Sequence, residues 1–504
     1  MQWPENVLSQ SLPNFETQAR QKRYRLLTQA AMRTGIRNLF LGHHQDDQIE
    51  TILMRLIRGK SGSLASFWGI ADTAPIPTDA DIEAELISSQ DSEEELMPHR
   101  IERLEPKGAL ESYSRRLPEP FSIHSFDGCI SLAQRLDISL HRPLLKFSKA
   151  RILATCKAND IQFVSDPTNF NPQLTLRNAV RYLLTNYKLP RALSRDSILR
   201  IHDRALDQLK YVHFEAERAL DVAELTSFDL RSGSLRLRVP KFPHLLKWQT
   251  SETPVAFLAQ ILRLVSPVDG FEMSKSSYHN AANVIFPRIS PLYSSPPSGP
   301  VSTLAVNQVL LTREEQGHHP EQERYASWRL SRQPLRREQM HRLLRKFTYQ
   351  PHPEVETAAE FYSGWVFWDC RYWIRICCTS VHYLQSCAIR PFQPSDAADL
   401  NTTLDRESKA TLSRLLHDAA PGKVRYTLPV ITGDMGIRAF PTLNFAVPEH
   451  LGHSIGNKEG EPGLLRWKVK YKYIDRKTIE RLSVCGSSTD QYQAAAQEYL
   501  KSKT

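Results

Sequence analysis

Apolar residues recur at Ile49, Ile52, Leu53, Leu56 and Ile57, and that three-and-four spacing predicts a helix starting near Asp46 with one buried face. The apolar run from Asn38 to Gly42 just before it is too short for a helix and reads as a strand end. Gly59 supplies the stop. The same reading predicts a helix over Phe15–Arg33, with Ala19, Leu26, Leu27, Ala30 and Ala31 apolar, strands within 121–126 and 138–145, and a helix from Ser148 to Asn159. Farther on come a long amphipathic stretch from Ala192 to Leu225, a period-two strand over 233–239 and a helix over 255–265. In 364–376 two aromatic-rich strands flank a tight turn at Asp369, the pattern of a packed hairpin.

The polar residues around the first of these helices change the picture. His43, His44, Asp46, Asp47 and Glu50 all fall off its apolar face, at the mouth of a strand and in the first helical turns. Open α/β sheets bind ligands there, outside the carboxyl ends of their strands. Two adjacent carboxylates alone would read as capping and dipole complementation. Two imidazoles and three acids within eight positions exceed what a cap requires, and they mark a candidate site.

This stretch resembles the His-His-x-Asp-Asp-Gln-x-Glu-Thr motif of tRNA(Ile)-lysidine synthetases, members of the PP-loop ATP pyrophosphatase superfamily. His43, His44, Asp46, Asp47, Gln48, Glu50 and Thr51 fall in register, and Arg55, Leu56, Arg58 and Gly59 continue it as Arg-Leu-x-Arg-Gly. Glu16, Ala19, Arg20, Arg23 and Tyr24 sit at the offsets of the family's preceding helix. Arg142 to Leu145 resembles its Arg-Pro-Leu-Leu strand, Asp166 to Asn169 its Asp-Pro-(Ser/Thr)-Asn element, and Thr175 to Arg181 its (Thr/Ser)-x-Arg-Asn-x-x-Arg element. A fainter likeness over 422–431 touches the family's C-terminal domain.

The resemblance implies an α/β fold. Residues 1–190 would form an N-terminally truncated, doubly wound parallel sheet of the PP-loop, adenine nucleotide alpha hydrolase-like kind. A small, mainly helical domain would follow over 191–288, a linker over 289–340 and a C-terminal α+β domain over 341–504. The implied activity is ATP-dependent ligation of lysine to C2 of the wobble cytidine, position 34, of tRNA(Ile) through an adenylated intermediate. ATP and magnesium are the implied cofactors, tRNA(Ile) and lysine the partners, and a homodimer is left open. By the same resemblance His44, Asp46, Asp47 and Glu50 are the catalytic set, and Gly42, His43, His44 and Arg58 bind the nucleotide. Arg20, Arg55, Arg177, Asn178 and Arg181 contact tRNA, and Asp46 and Asp47 hold magnesium. On their own, Arg177 and Arg181 at i and i+4 would equally be an exposed helix face.

The chief departure is an absence. Family members carry an earlier strand and a Ser-Gly-Gly-x-Asp-Ser loop whose amides hold pyrophosphate, and the 504 residues contain no such run. Either the sequence begins downstream of the true start or the ATP chemistry is lost; the expectation is an incomplete gene model. Gly59 to Ser63 is no Walker A loop, because the earlier glycine is missing and the run follows a helix instead of a strand.

Between Asp72 and Glu105 eleven acidic residues face only Arg100 and Arg103, and an acidic, disordered insertion is expected over about 72–118. Trp328 to Gln350 carries seven Lys or Arg against Glu338 alone, with Trp328, Phe347 and Tyr349 between them, which suits RNA and a solvated helix equally. A net charge of +10 permits a polyanionic partner without requiring one. Seven scattered cysteines with no Cys-x-x-Cys pair exclude a zinc ribbon and a disulfide scaffold and suit a reducing compartment. No apolar run is long enough to span a membrane. The opening residues read as neither a secretory signal nor a transit peptide; a eukaryotic source would point to an organelle. Two readings stand beside the ligase: a non-catalytic tRNA-binding relative, and a metal hydrolase using His43, His44, Asp46 and Glu50 that works without ATP.

Overall fold

The computed structural model describes residues 15–58, 67–78, 80–89, 122–124, 130–132, 137–164, 171–240, 252–268, 275–286, 302–314, 325–350, 361–378, 380–434, 436–447 and 465–484. It has a mixed helix and sheet architecture in two compact units, residues 1–86 with 135–212 and residues 87–134 with 213–504. None of the described helices is long and apolar enough to cross a membrane.

In the first unit, strand Asn38–Phe40 pairs in parallel with Ser139–His141, and Thr73–Pro75 pairs antiparallel on the other side of that strand. One face of this sheet packs Leu140, Ile138 and Ile76 against Tyr24 and Ala31 of the helix Phe15–Thr34. Gly35, with φ of +68°, ends that helix by adopting the left-handed conformation that other residues resist. Tyr24 and Ala31 face the core, while Leu26, expected on the apolar stripe, is exposed.

The helix Gln45–Ile57 packs elsewhere. Its Ile49, Ile52, Leu53 and Met54 bury against Val180 of the helix Leu176–Asn186 and Ile198 of the helix Arg195–Val222. Ile57, expected on this face, is exposed, and Met54 takes its place in the core. The helix stops at Arg58, whose N–H reaches the Met54 carbonyl at 3.1 Å; Gly59, the expected stop, lies outside the described residues.

Part of the expected disordered insertion is ordered. Thr73–Pro75 is a strand of the sheet and Ala80–Ser89 is a helix, because Ile76, Ile82 and Ile87 are buried despite the acidic residues around them. The rest of that stretch, apart from the strand at its far side, Ser122–His124, lies outside the described residues.

In the second unit a six-stranded sheet runs in the order Ser122–His124, Glu224–Asp229, Ser234–Pro240, Tyr325–Arg332, Val309–Glu314 and Thr303–Val306. The expected helical region therefore contributes two strands to it, and the expected linker contributes three. The turn between the last two strands is Asn307–Gln308, both at positive φ, and it lacks the glycine that would have announced a hairpin. Trp328 and Phe347 are buried in the core, so neither is a platform for a base.

Two five-stranded sheets complete the unit. One is centred on Tyr372–Cys378 and Arg466–Tyr471, the other on Ala388–Pro391, Pro429–Gly433 and Gly436–Phe440. The aromatic hairpin forms as the sequence predicts: Val366–Trp368 pairs with Tyr372–Cys378, and Asp369 and Cys370 both take positive φ at the turn.

That turn carries a buried charge centre. Asp369 accepts from Arg332 Nε at 3.0 Å and from Arg371 Nε at 2.8 Å, and Arg371 spends its other nitrogens on the Ser232 and Thr427 carbonyls at 2.9 and 2.8 Å. Removing one partner of such a network strands the others in low dielectric. Asp369→Asn keeps the turn's tolerance of positive φ but leaves two buried guanidiniums without a counter-charge. The expected loss is about 3–5 kcal/mol of stability, read from the urea midpoint of the second unit's transition.

Candidate functional site

The parallel strand pair brings the motif to one place. Leu41 N–H extends the ladder onto the His141 carbonyl at 2.8 Å, and Gln45 N–H bonds the Phe147 carbonyl at 2.9 Å. His43 and His44 are thereby held just past the carboxyl end of a strand, with His44 in extended backbone at the start of the helix Gln45–Ile57. Asp47 Oδ2 accepts the His44 N–H at 3.0 Å, satisfying a donor that the helix cannot.

Asp46 turns to a second helix. Its Oδ2 accepts the N–H of Lys149, the first residue of the helix Lys149–Ala158, at 2.7 Å, and its Oδ1 is ion-paired with Arg195. A carboxylate at a helix N-terminus is also favoured by the macrodipole. Glu50 turns to a third helix, where Arg181 grips it with both Nε and Nη2, at 2.8 and 3.0 Å. Glu50 is 1% exposed, so this fork is a desolvated ion pair. Arg177, one turn before Arg181, lies with Nη1 3.8 Å from Asp47 Oδ1 and Nε 4.0 Å from Glu50 Oε2.

The motif acids therefore face Arg177 and Arg181, which the resemblance placed on tRNA, and they are unequally engaged. Both oxygens of Asp46 and of Glu50 are taken by donors of this chain, as is Asp47 Oδ2. Asp47 Oδ1 has only the 3.8 Å approach of Arg177. Around it, His43 Nδ1, His44 Nδ1, Arg177 Nε and Arg142 Nε are all buried without a hydrogen-bond partner. His44 Nδ1 is 3.4 Å from Asp47 Oδ2 and 3.7 Å from Asp46 Oδ2, and Asp47, Arg142 and Arg177 all act electrostatically on His43. Orphaned buried nitrogens cost about 1–3 kcal/mol each, so such a cluster is the signature of a surface built for a polar ligand.

Other motif residues are architectural. Gln48 Oε1 accepts the Ile70 N–H at 2.5 Å while its Nε2 donates to the Ile70 carbonyl and to His202 Nε2. His202 must then carry its proton on Nδ1, which donates to the Phe67 carbonyl at 2.8 Å. Gly69 permits this: a Cβ there would stand 2.7 Å from Gln48. Thr51 bonds the Asp47 carbonyl, and Asn178, expected to touch tRNA, is buried with its Nδ2 on the Asn171 carbonyl at 2.9 Å.

The structure leaves Arg58 and Arg55 out of the cluster, while Arg20 acts on it electrostatically through His43 and Gly42 adjoins it in the chain. Arg58 is exposed at the far end of the motif helix, about 20 Å from its start by helical rise. Arg55 is half-buried, with its pKa lowered by burial and then by Arg20, and exposed Arg20 lies over the Tyr24 ring. Gly42 is exposed, and a Cβ there would meet nothing. Arg142, Lys149 and Arg195 join the cluster from distant positions and were not singled out from sequence. Only Arg142 had a signal there, as the first residue of the Arg-Pro-Leu-Leu element.

Among the described residues no three His, Cys, Asp or Glu side chains are grouped to hold a metal ion. A hydrolase built on His43, His44, Asp46 and Glu50 thus lacks a ligand set there. Magnesium asks less, one or two carboxylates with the rest supplied by water and phosphate, and Asp47 Oδ1 fits that demand.

Residues 2–80 and 119–187 match the family model of the PP-loop domain. Over 439 residues, 86% of this chain and 75% of the relative, the chain is 25% identical to a probable tRNA(Ile)-lysidine synthase of Schizosaccharomyces pombe. It is 32% identical over 157 residues, 31% of this chain and 27% of the relative, to a tRNA(Ile)-lysidine synthase of Bradyrhizobium sp.. It is 29% identical over 201 residues, 36% and 41%, to that of Bacillus anthracis. The matches therefore span three-quarters of the yeast relative and under half of these two bacterial ones.

Burial pushes both His43 and His44 below the usual 6.5, against the pull of Asp47. The unfolded chain then holds more protons than the folded one between 6.5 and the lower folded value, so stability falls as pH drops through that window. His43→Gln with His44→Gln is expected to flatten the dependence of the first unit's thermal midpoint on pH below about 6.5. An unaltered slope in the double variant would show the imidazoles to be freely protonated.

Proposed function

We propose that this chain, which matches the PP-loop domain over 2–80 and 119–187 and is similar to tRNA(Ile)-lysidine synthases, is an ATP-dependent RNA-modifying ligase that joins lysine to C2 of the wobble cytidine of tRNA(Ile). The observation that carries the proposal is the set of orphaned nitrogens, His43 Nδ1, His44 Nδ1 and Arg177 Nε, on residues that surround Asp47, whose Oδ1 is the one motif carboxylate oxygen without a hydrogen-bond donor. The finer fold reading, a doubly wound sheet of which three strands are described, is supported by the parallel pairing of Asn38–Phe40 with Ser139–His141.

ATP supplies the leaving group: adenylation of the base O2 releases diphosphate, and displacement by the lysine amine releases AMP. In this proposal Arg177 and His43 bind negative oxygen, and Asp47 Oδ1 is the carboxylate for magnesium. His44, neutral because it is buried, takes a proton from the incoming ammonium. Asp46, Glu50 and Arg181 are positioning residues, since their charged atoms are spent on Arg195, on Lys149 and on each other. Exposed Arg20 remains available to an RNA backbone.

The test is AMP release from the full chain given ATP, lysine and a tRNA(Ile) transcript, with lysidine detected by nucleoside mass spectrometry. Asp47→Asn is expected to lower AMP release by about 100-fold or more while tRNA retention on a filter changes by less than about threefold. Retention of tRNA by the unsubstituted chain with no AMP released overturns the ligase reading in favour of a binding protein.

A further inference from the structure

The second unit holds a group that the proposed ligase chemistry does not use. Cys378 ends the strand Tyr372–Cys378 and Cys387 precedes the strand Ala388–Pro391, with the helix Val381–Ser386 between them. Both thiols are fully buried and hydrogen-bonded to each other, although their strands belong to different sheets. Arg438, also buried, aims Nη1 at Cys387 Sγ from 3.0 Å and Nη2 at Ser386 Oγ from 3.0 Å, and its guanidinium lies 3.9 Å over the Tyr383 ring. No carboxylate among the described residues lies within ion-pair distance of Arg438. A buried cation without a paired carboxylate is costly; the Asp434 carboxylate acts on Cys387 only electrostatically, and the acidic group in contact with Arg438 is the Cys387 thiol.

We propose that Cys378 and Cys387 are an oxidisable pair that a hydroperoxide closes into a disulfide across the two five-stranded sheets, with Arg438 holding Cys387 as the attacking thiolate. The Cys387 thiol now donates to the Tyr383 carbonyl at 3.2 Å, and Arg438 Nη1 already reaches that oxygen at 3.5 Å and takes it over when the proton leaves. The thiolate attacks the peroxide, forming a sulfenic acid and releasing hydroxide. The Cys378 sulfur then attacks the Cys387 sulfur, its proton leaving with the displaced hydroxide as water, so that two thiols and one hydrogen peroxide become one disulfide and two waters. The roles follow from the partners: the hydrogen bond to Cys387 and then burial raise the Cys378 thiol, while the hydrogen bond from Cys378 and then Arg438, against burial, bring the Cys387 thiol below its usual value. Cys377 is excluded as a partner because adjacent strand residues face opposite sides of a sheet, and it lies near Arg466 instead, 3.7 Å away.

The full chain, purified in reductant and then treated with hydrogen peroxide, is unfolded, alkylated and digested for mass spectrometry, with exposed Cys370 as the reference thiol. The expected product is a cross-link between Cys378 and Cys387 that dithiothreitol reverses. In Cys378→Ser, dimedone is expected to label Cys387. Arg438→Met is expected to slow the wild-type cross-link about tenfold or more, the change in thiolate fraction that one pKa unit carries. Full alkylation of both positions after Cys370 is oxidised, or a cross-link to Cys377, overturns the proposal on the unsubstituted chain. An unslowed Arg438→Met overturns the role of the arginine.

Discussion

The first unit turns on one ion pair, the Glu50 carboxylate in the fork of Arg181. Asp47 and Glu50 are three residues apart on one helix, and Arg177 and Arg181 are four apart on another, so each pair forms a ladder along a helix face. Locking Glu50 to Arg181 sets the register between the ladders and thereby places Arg177 opposite Asp47. The apolar contacts of Ile49, Ile52 and Leu53 with Val180 supply the attraction between these helices but tolerate a slip. A desolvated carboxylate does not: a slip of one turn one way would set it against Thr185 and leave it buried and unpaired, and the other way would take Arg177 from Asp47. Its value is thus positional: the desolvation of the buried carboxylate cancels much of the Coulomb gain, and the penalty for mispairing is what remains.

Asp46 extends the same logic to a third and fourth element. By accepting from the N-terminus of the helix Lys149–Ala158 and pairing with Arg195, it ties the motif helix to segments that lie about a hundred and more residues later. The site is therefore assembled by its own acids. Asp46 reaches two helices and Asp47 and Glu50 share a third, and the one oxygen left without a donor, Asp47 Oδ1, lies 3.8 Å from Arg177 Nη1.

How much of this was legible follows from the range of each signal. The motif helix, its strand and the Asp369 hairpin were readable because periodicity and turn chemistry are local. Arg177 and Arg181 were singled out only through family register, as contacts to tRNA and not as partners of Asp47 and Glu50. Arg195 and Lys149 carried no local signal, since an ion pair between distant segments leaves no periodicity. Three strands in 303–332 were read as linker because their short runs follow a proline-rich stretch and their turn is Asn-Gln. Trp328 was weighed as a base platform for the same reason: next to seven basic residues its side chain looked exposed, whereas the strand alternation turns it into the core. The acidic residues around Ile76, Ile82 and Ile87 similarly outweighed three isoleucines that the fold buries.

The two units bury charge to different ends, and the contrast separates architecture from function. Around Asp369 each guanidinium nitrogen of Arg371 finds an acceptor, and that centre leaves no orphan among its side-chain atoms. Such a network costs desolvation but leaves nothing for a ligand to satisfy. Past Phe40, by contrast, two imidazole nitrogens and two guanidinium nitrogens are buried with no partner. Folding gains nothing from leaving them bare, and a molecule optimised only for stability would cap them or replace them by apolar groups. Their persistence beside a carboxylate oxygen without a donor is explained when something polar and anionic enters from outside. The nitrogens then receive the acceptors that the chain withholds, and the free energy lost in folding is recovered on binding.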